Sequence, residues 1–212
     1  KHFAPISMVT RVSEILLVPA NSPAKSVKDL VELARKESLN YASVGVGSLA
    51  HLSAELFLSM AGVKITHIPY RGVPQAQQAV ITGEVAAFFD TPITALPQIR
   101  AGKVKAIATL GLERAPGQED LPTAEEAGLK GLDCGSWGSF SFPKGTPDAI
   151  VRRLAAACNE AVESKMVRDR FKQIGVVVPA KERRTPEYLR KFVVTETERW
   201  AAPIKNSGAV ID

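Results

Sequence analysis

The stretch Asn40-Tyr-Ala-Ser-Val-Gly-Val-Gly-Ser48 decides the fold class, because a short strand runs through two glycines directly into a helix. This helix is predicted to extend from Ser48 to Ala61 and to end at Gly62, where a helix C-terminus commonly needs a left-handed backbone. A strand, a glycine turn and a helix in this order are typical of an α/β sheet whose helices cover its faces.

The same alternation of strands and helices continues from Ser26 to about Leu110. Strands are predicted at residues 40–44, 65–68, 85–89 and 104–110, and helices are predicted to begin at Ser26, Ser48, Val73 and Pro92. Ser26 with Asp29 three residues later is a variant of the capping box. Short connections in this order favour parallel strands with helices on the sheet faces, so we expect a complete α/β ligand-binding lobe over residues 12–138.

The segments on either side of this lobe are different. Two extended stretches, residues 6–18 and 133–142, flank the lobe as hinge strands would, and three helices with one short strand at 176–178 follow. The apolar stripes of these helices need a partner layer that the chain does not provide. We therefore expect residues 1–11 and 139–212 to be the hinge strands and C-terminal helices of an incomplete first lobe, with exposed helix faces that pair two copies as a homodimer.

Composition excludes several classes of protein. The 212 residues are 45% hydrophobic and 23% charged, which is typical of a globular chain, and no apolar run is long enough to span a membrane. The first residues lack the features of a signal peptide, so any export signal is expected outside this chain. Cys134 and Cys158 lack the spacing of metal ligands and are expected to be core thiols; neither a metal nor a cofactor is expected.

The net charge of +5 could favour nucleic acid, a membrane surface or acidic small molecules. The basic run Lys181-Glu-Arg-Arg184 is interrupted by an acidic residue, and Tyr188 and Phe192 have the spacing of a packing face. This region is therefore interpreted as a solvated charged face, and no nucleic-acid partner is expected.

Three loops at the carboxyl ends of the predicted strands contain the candidate binding residues, because ligands of open sheets gather at this edge. The first loop carries Ser43, Gly45, Val46, Gly47 and Ser48, with His51 one turn into the helix. Glycines allow a close backbone approach, and the N–H groups of a first helical turn favour an anion such as a carboxylate. A tight turn without a ligand is the alternative, and His51 alone is more often a structural hydrogen-bonding residue.

The second and third loops add a cation and a carboxylate. Arg71 has the planar donors that match a carboxylate, beside Tyr70 and Gly72, although Arg71 as a solvated charge and Tyr70 as a packing residue are equally open. Asp90 ends the third strand; its favoured role is to cap the next helix, and the alternative is that it holds neighbouring loops in place. No catalytic residue is assigned, because nothing matches the serine elbow of hydrolases.

Several motifs together resemble one family of transport proteins. They include Phe3-Ala-Pro-Ile-Ser7, Asn40-Tyr-Ala-Ser43 with the two glycines, Ile68-Pro-Tyr-Arg-Gly72, Phe89-Asp90 and Gly145-Thr-Pro147. In this order they are similar to the Bug family, the solute receptors of tripartite tricarboxylate transporters. The likeness covers essentially the whole chain, but such receptors carry a further N-terminal stretch, so the sequence resembles an N-terminally truncated member.

The resemblance implies a periplasmic-binding-protein clamshell of type II, with one complete lobe and the C-terminal part of the other. It implies an extracytoplasmic, non-enzymatic receptor that holds a small di-, tri- or aromatic carboxylate and presents it to a membrane permease, with binding impaired by the missing segment. The family's binding positions fall on the ten loop residues named above; Val44 and Val46 depart from the usual small or polar residues. The alternative function is the ligand-sensing domain of a transcription regulator.

Overall fold

The computed structural model describes residues 2–114 and 116–209. Its elements, in chain order, are β1 (Phe3–Ser13), β2 (Ile15–Pro19), α1 (Val27–Lys36), β3 (Asn40–Ser43), α2 (Leu49–Ala61), β4 (Thr66–Pro69), α3 (Val73–Thr82), β5 (Ala87–Asp90), α4 (Pro92–Arg100), β6 (Val104–Thr109), β7 (Gly135–Pro143), α5 (Asp148–Glu163), α6 (Lys165–Gln173), a 3-10 turn (Lys181–Arg183) and α7 (Pro186–Asn206).

Local sequence signals account for most helix ends. The Ser26 hydroxyl accepts the Asp29 N–H at 3.1 Å, and the Asp29 carboxylate accepts the Lys25 N–H at 2.9 Å, which is the expected capping pattern displaced by one residue. Gly62 ends α2 with φ of 64°, as its position predicts.

A five-stranded sheet in the order β4-β3-β5-β2-β6 forms the centre of the larger part of the chain. Neighbours β4, β3 and β5 are parallel, but β2 lies antiparallel between β5 and β6, with Ile15 opposite both Asp90 and Thr109. The expectation of a single hinge strand over residues 6–18 is therefore wrong. The segment divides at Glu14, because Ile15–Val18 is a fully buried apolar run that requires cover on both faces.

The two remaining strands, β1 and β7, form a separate two-stranded antiparallel sheet. Strands β1 and β7 pair from Phe3 opposite Pro143 to Ser13 opposite Gly135. The short strand predicted at residues 176–178 is reduced to one bridge between Arg11 and Val177, because only this residue pair aligns with β1.

The buried apolar residues form two hydrophobic clusters. The larger surrounds the five-stranded sheet, whereas the smaller contains Ile6, Val151, Ala155 and Cys158. Helix α7 contacts β1 and α2, and its Trp200 packs against the larger cluster. Large apolar side chains that are more than half exposed include Phe3, Val46, Leu112, Phe140, Met166 and Val194.

The charged face around residues 181–184 is solvated only in part. Arg184 is 2% exposed and its guanidinium donates to the Glu163 carboxylate, so the expectation of a solvated side chain is wrong at this position. Cys134 and Cys158 are buried free thiols, as expected. Among the helices described, none has the length and apolar character needed to cross a bilayer.

Candidate functional site

The carboxyl ends of β3, β4 and β5 form one edge of the sheet, where these strands finish at Ser43, Pro69 and Asp90. Helices α2, α3 and α4 begin within a few residues of these strand ends. The N-terminus of each helix carries unpaired N–H groups and a partial positive charge, so this edge favours an anion.

The glycine loop, residues 43–48, connects β3 to α2. Gly45 and Gly47 have φ of 122° and 77°, a region that side-chain-bearing residues rarely adopt, so both positions require glycine. The Gly45 N–H donates to the Ser43 hydroxyl at 3.0 Å, and the Ser48 hydroxyl donates to the Gly45 carbonyl at 2.7 Å. Ser48 also caps α2 by accepting the His51 N–H at 3.3 Å. These bonds fix the loop, and Val46 is 61% exposed at its tip.

The structure changes which amides of this loop are available. The Gly47 N–H donates to the His51 imidazole Nδ1 at 3.1 Å, and the Gly45 N–H is also bonded inside the loop, so these predicted donors are occupied. Within the described part of the chain, the N–H groups of Val46, Leu49 and Ala50 have no acceptor. The donors available to an anion are therefore those of the loop tip and the first turn of α2.

A stack of aromatic rings lies next to the glycine loop. The His67 ring stacks on His51 with centroids 4.2 Å apart and on Tyr41 with centroids 5.0 Å apart. The His67 Nε2 also forms a hydrogen bond with the Ser43 hydroxyl, and the Tyr41 hydroxyl donates to Glu55 at 2.7 Å. Sequence reasoning missed His67, although the parallel register places it directly beside Tyr41.

The surroundings of His51 and His67 lower the pKa of both imidazoles. Burial lowers the pKa of His51, and the nearby Glu55 opposes this effect. Burial lowers the pKa of His67, which the charge of His51 lowers further, again with opposition from Glu55. Both effects favour neutral rings, as the acceptor role of His51 Nδ1 requires.

The polar side chains of the second loop have different surroundings. The Tyr70 hydroxyl donates to Glu84 at 2.8 Å, and Glu84 precedes β5, at the opposite edge of the sheet. Arg71 is exposed and forms no ion pair within the described residues, so its donors are available. Gly72 precedes α3 as an N-cap that supplies no side-chain bond.

The third loop is held by Asp90, which is 3% exposed. Its carboxylate accepts from the Gln77 amide at 2.8 Å, the Thr91 N–H at 2.8 Å and the Thr94 hydroxyl at 2.6 Å. The N-cap of α4 is Thr91, whose side chain makes no capping hydrogen bond, so the prediction that Asp90 caps this helix is wrong. Asp90 instead anchors the loop through the three contacts above. Burial raises the pKa of Asp90, and these three hydrogen bonds oppose the rise.

A second buried carboxyl lies near this edge and was not expected. Glu14, at the break between β1 and β2, is 2% exposed, and its Oε2 has no hydrogen-bond partner in the described structure. Burial raises the pKa of Glu14 to about 8; the nearby Ser53 hydroxyl opposes the rise and the charge of Asp90 adds to it.

Metal ligation has no support in the described ranges, 2–114 and 116–209. No group of three or more histidine, cysteine, aspartate or glutamate side chains there could hold a metal ion.

Comparison with known proteins identifies this arrangement. The model of the tripartite tricarboxylate transporter family receptor matches residues 1–209. Protein BugT of Bordetella pertussis is 32% identical over 211 residues, which cover 99% of this chain and 64% of BugT. The chain spans about 60% of the length of the first curated relatives it matches.

Two solved structures are similar over most of the chain. R. palustris Rpa4515 with adipate has a TM-score of 0.85 and 31% identity, over 98% of this chain and 69% of that chain. MatC from Rhodopseudomonas palustris with bound malate has a TM-score of 0.80 and 35% identity, over 95% of this chain and 69% of that chain. The α/β periplasmic-binding-protein fold is thereby confirmed, and a receptor family rather than an enzyme family accounts for the sequence. The chain belongs to the tripartite tricarboxylate transporter receptor family, to which the Bug proteins also belong.

Proposed function

We propose that the chain is the ligand-binding portion of a receptor for a small organic acid, with one ligand carboxylate held at the glycine loop. The observation that carries this proposal is the set of N–H groups at Val46, Leu49 and Ala50, which have no acceptor among the described residues and lie at an edge where three helices begin.

The remaining candidate residues have separate roles in this proposal. Ser43, Gly45, Gly47, Ser48 and His51 shape and brace the glycine loop through the hydrogen bonds described above. Arg71 supplies a free guanidinium for a carboxylate. Gly72 begins α3, Asp90 anchors the third loop, and Tyr70 packs along the sheet edge.

The class of ligand follows from these groups and from the relatives. Rpa4515 and MatC carry adipate and malate, which are both dicarboxylates. The exposed Val46 side chain adds an apolar surface beside the free N–H groups, which suits an acid with a hydrocarbon segment. A dicarboxylate or an aromatic carboxylate therefore fits this edge better than a small inorganic anion.

The location of the protein and its role in transport are also proposals. Receptors of this family are periplasmic, so we infer an extracytoplasmic location and delivery of the ligand to a membrane permease. The family match favours this role over that of a ligand-sensing regulator domain. One lobe supplies only part of a clamshell site. We therefore expect the 212-residue chain to bind a carboxylate with a dissociation constant above about 10 µM, a value that corresponds to a binding free energy of roughly 7 kcal/mol.

Nuclear magnetic resonance with adipate, malate and benzoate tests the proposal. Millimolar ligand should shift the amide signals of Val46, Leu49 and Ala50, whereas uncharged adipamide should not. Arg71→Gln should weaken the response, and Arg35→Gln, which removes a cation from the exposed end of α1, should not. The absence of any shift at these amides, or an equal response to adipamide, would contradict carboxylate binding at the loop.

The expected pairing of two copies is a separate prediction. Exposed apolar side chains on β1, β7, α6 and α7 provide the surface for it, with Met166 78% and Phe3 72% exposed. Light scattering at high protein concentration should give the mass of a dimer; a strictly monomeric mass would count against pairing.

A further inference from the structure

The shape of the glycine loop depends on one imidazole atom. His51 Nδ1 accepts the Gly47 N–H at 3.1 Å, and an imidazole nitrogen can accept only when it carries no proton. The ring is 4% exposed, so water cannot readily replace this bond if the nitrogen becomes a donor. A protonated His51 would set two N–H donors against each other at Gly47.

The second imidazole supports the first from β4. His67 stacks on His51 at 4.2 Å, so two positive charges on these rings would repel each other. His67 also bonds to the Ser43 hydroxyl, which in turn accepts the Gly45 N–H at 3.0 Å. Both glycine amides of the loop are therefore anchored, directly or through Ser43, by this histidine pair.

Among the described residues, few titratable groups surround the histidine pair. On α2 the nearby carboxylate is Glu55, which accepts from the Tyr41 hydroxyl of β3, and from β4 the facing group is His67 itself. On the outer side of the loop, a Cβ added to Gly47 would meet the uncharged Ala209 at 3.7 Å. Glu55 favours protonation of the pair, while burial opposes it.

We propose that His51 and His67 are positioning residues whose neutral pair holds the glycine loop in its anion-accepting shape, and that protonation of His51 releases the loop. The inference rests on the proposed carboxylate site for its consequence, because a released loop would misplace the free N–H groups of Val46 and Leu49. Acidification through the titration of His51 then weakens carboxylate binding, even though it adds positive charge nearby. The expected loss of carboxylate affinity is about tenfold, which corresponds to the loss of about one hydrogen bond.

Two substitutions at His51 separate its role as a hydrogen-bond acceptor from its protonation. His51→Asn places an amide oxygen close to the position of Nδ1 and cannot titrate, whereas His51→Leu removes the acceptor. The matched pair at the second ring is His67→Gln, which keeps a polar partner for Ser43, and His67→Phe, which keeps only the stacked ring.

The decisive measurement uses the chain without ligand. In the unsubstituted chain, the Gly47 amide signal should follow the ring signal of His51 with the same midpoint as the pH falls. In His51→Asn the Gly47 signal should stay constant with pH, and in His51→Leu it should be displaced already at neutral pH. The Gly45 signal should be displaced in His67→Phe and retained in His67→Gln.

Two results would overturn the proposal: a Gly47 amide that ignores the titration of His51, or a His51→Asn chain with unchanged pH dependence. The first readout needs neither a ligand nor a variant, because it is made on the unsubstituted chain, so a variant that fails to fold does not remove the test. Failure of adipate to shift the loop amide signals at neutral pH would contradict the proposed carboxylate site but not the proposed role of the histidine pair. If adipate does bind, its affinity should fall about tenfold on acidification in the unsubstituted chain and stay level in His51→Asn.

Discussion

Replacement of Glu14 by glutamine should stabilise the protein at alkaline pH and have little effect at acidic pH. The Glu14 carboxyl is enclosed at the break between β1 and β2, with Asp90 nearby and no partner for its Oε2. Burial raises its pKa from the ordinary 4.5 to about 8. Glutamine resembles the protonated acid in shape and cannot ionise, so it keeps the favourable form at every pH.

The sign and size of the effect follow from proton linkage. Between the two pKa values the folded chain binds a proton at Glu14 that the unfolded chain has released, so stability falls as the pH rises. The contribution is fully present below pH 4.5 and is lost as the pH rises through about 8. At about 1.4 kcal/mol per pKa unit, the loss between pH 5 and pH 8 is roughly 3–4 kcal/mol.

Urea unfolding at several pH values, followed by tryptophan fluorescence, measures this difference. The free energy of unfolding of Glu14→Gln should exceed that of the unsubstituted chain by an amount that grows from pH 5 to pH 8. Glu160→Gln, at an exposed position of α5, is the matched control and should show no such growth. Parallel pH profiles for Glu14→Gln and the unsubstituted chain would refute the reasoning.

Three further predictions concern a helix cap, the sheet formed by β1 and β7, and a thiol. Ser48→Ala should lower the free energy of unfolding by about 1 kcal/mol, since it removes the α2 cap; an unchanged urea midpoint would contradict this. Gly135→Ala should destabilise the chain by about 2–3 kcal/mol because its Cβ would overlap the backbone carbonyl of Val12. Gly138→Ala should cost less than about 1 kcal/mol, because its Cβ would meet the side chain of Thr10, which can rotate. Burial raises the pKa of Cys134 to about 12, so iodoacetamide should label it slowly at pH 8 in the folded chain and quickly in urea; equal rates would count against this burial.

Features set by neighbouring residues could be predicted from the sequence. The Ser26 cap, the Gly62 end of α2 and the glycine turn after β3 depend on local backbone chemistry, and the structure contains all three. The candidate loops could also be placed at one sheet edge, because parallel strands share the direction of their carboxyl ends.

Features set by long-range pairing could not be predicted in this way. The antiparallel entry of β2 between β5 and β6 depends on partners more than 70 residues away, as the pairing of Ile15 with Asp90 illustrates. The stacking of His67 on His51 depends on the register between β3 and β4 and on the first turn of α2. The direction of the Tyr70 hydroxyl depends on Glu84, which no local pattern indicates.

The central position of β2 has a consequence for the order of folding. Strand β2 directly follows β1 near the start of the chain, yet both of its neighbours, β5 and β6, are formed by residues 87–109. Nearly the whole lobe must therefore leave the ribosome before the middle of its sheet can close. Closure of so large a loop carries an entropic cost, so the completion of this sheet should be a slow step that follows the local α2 and α3 turns.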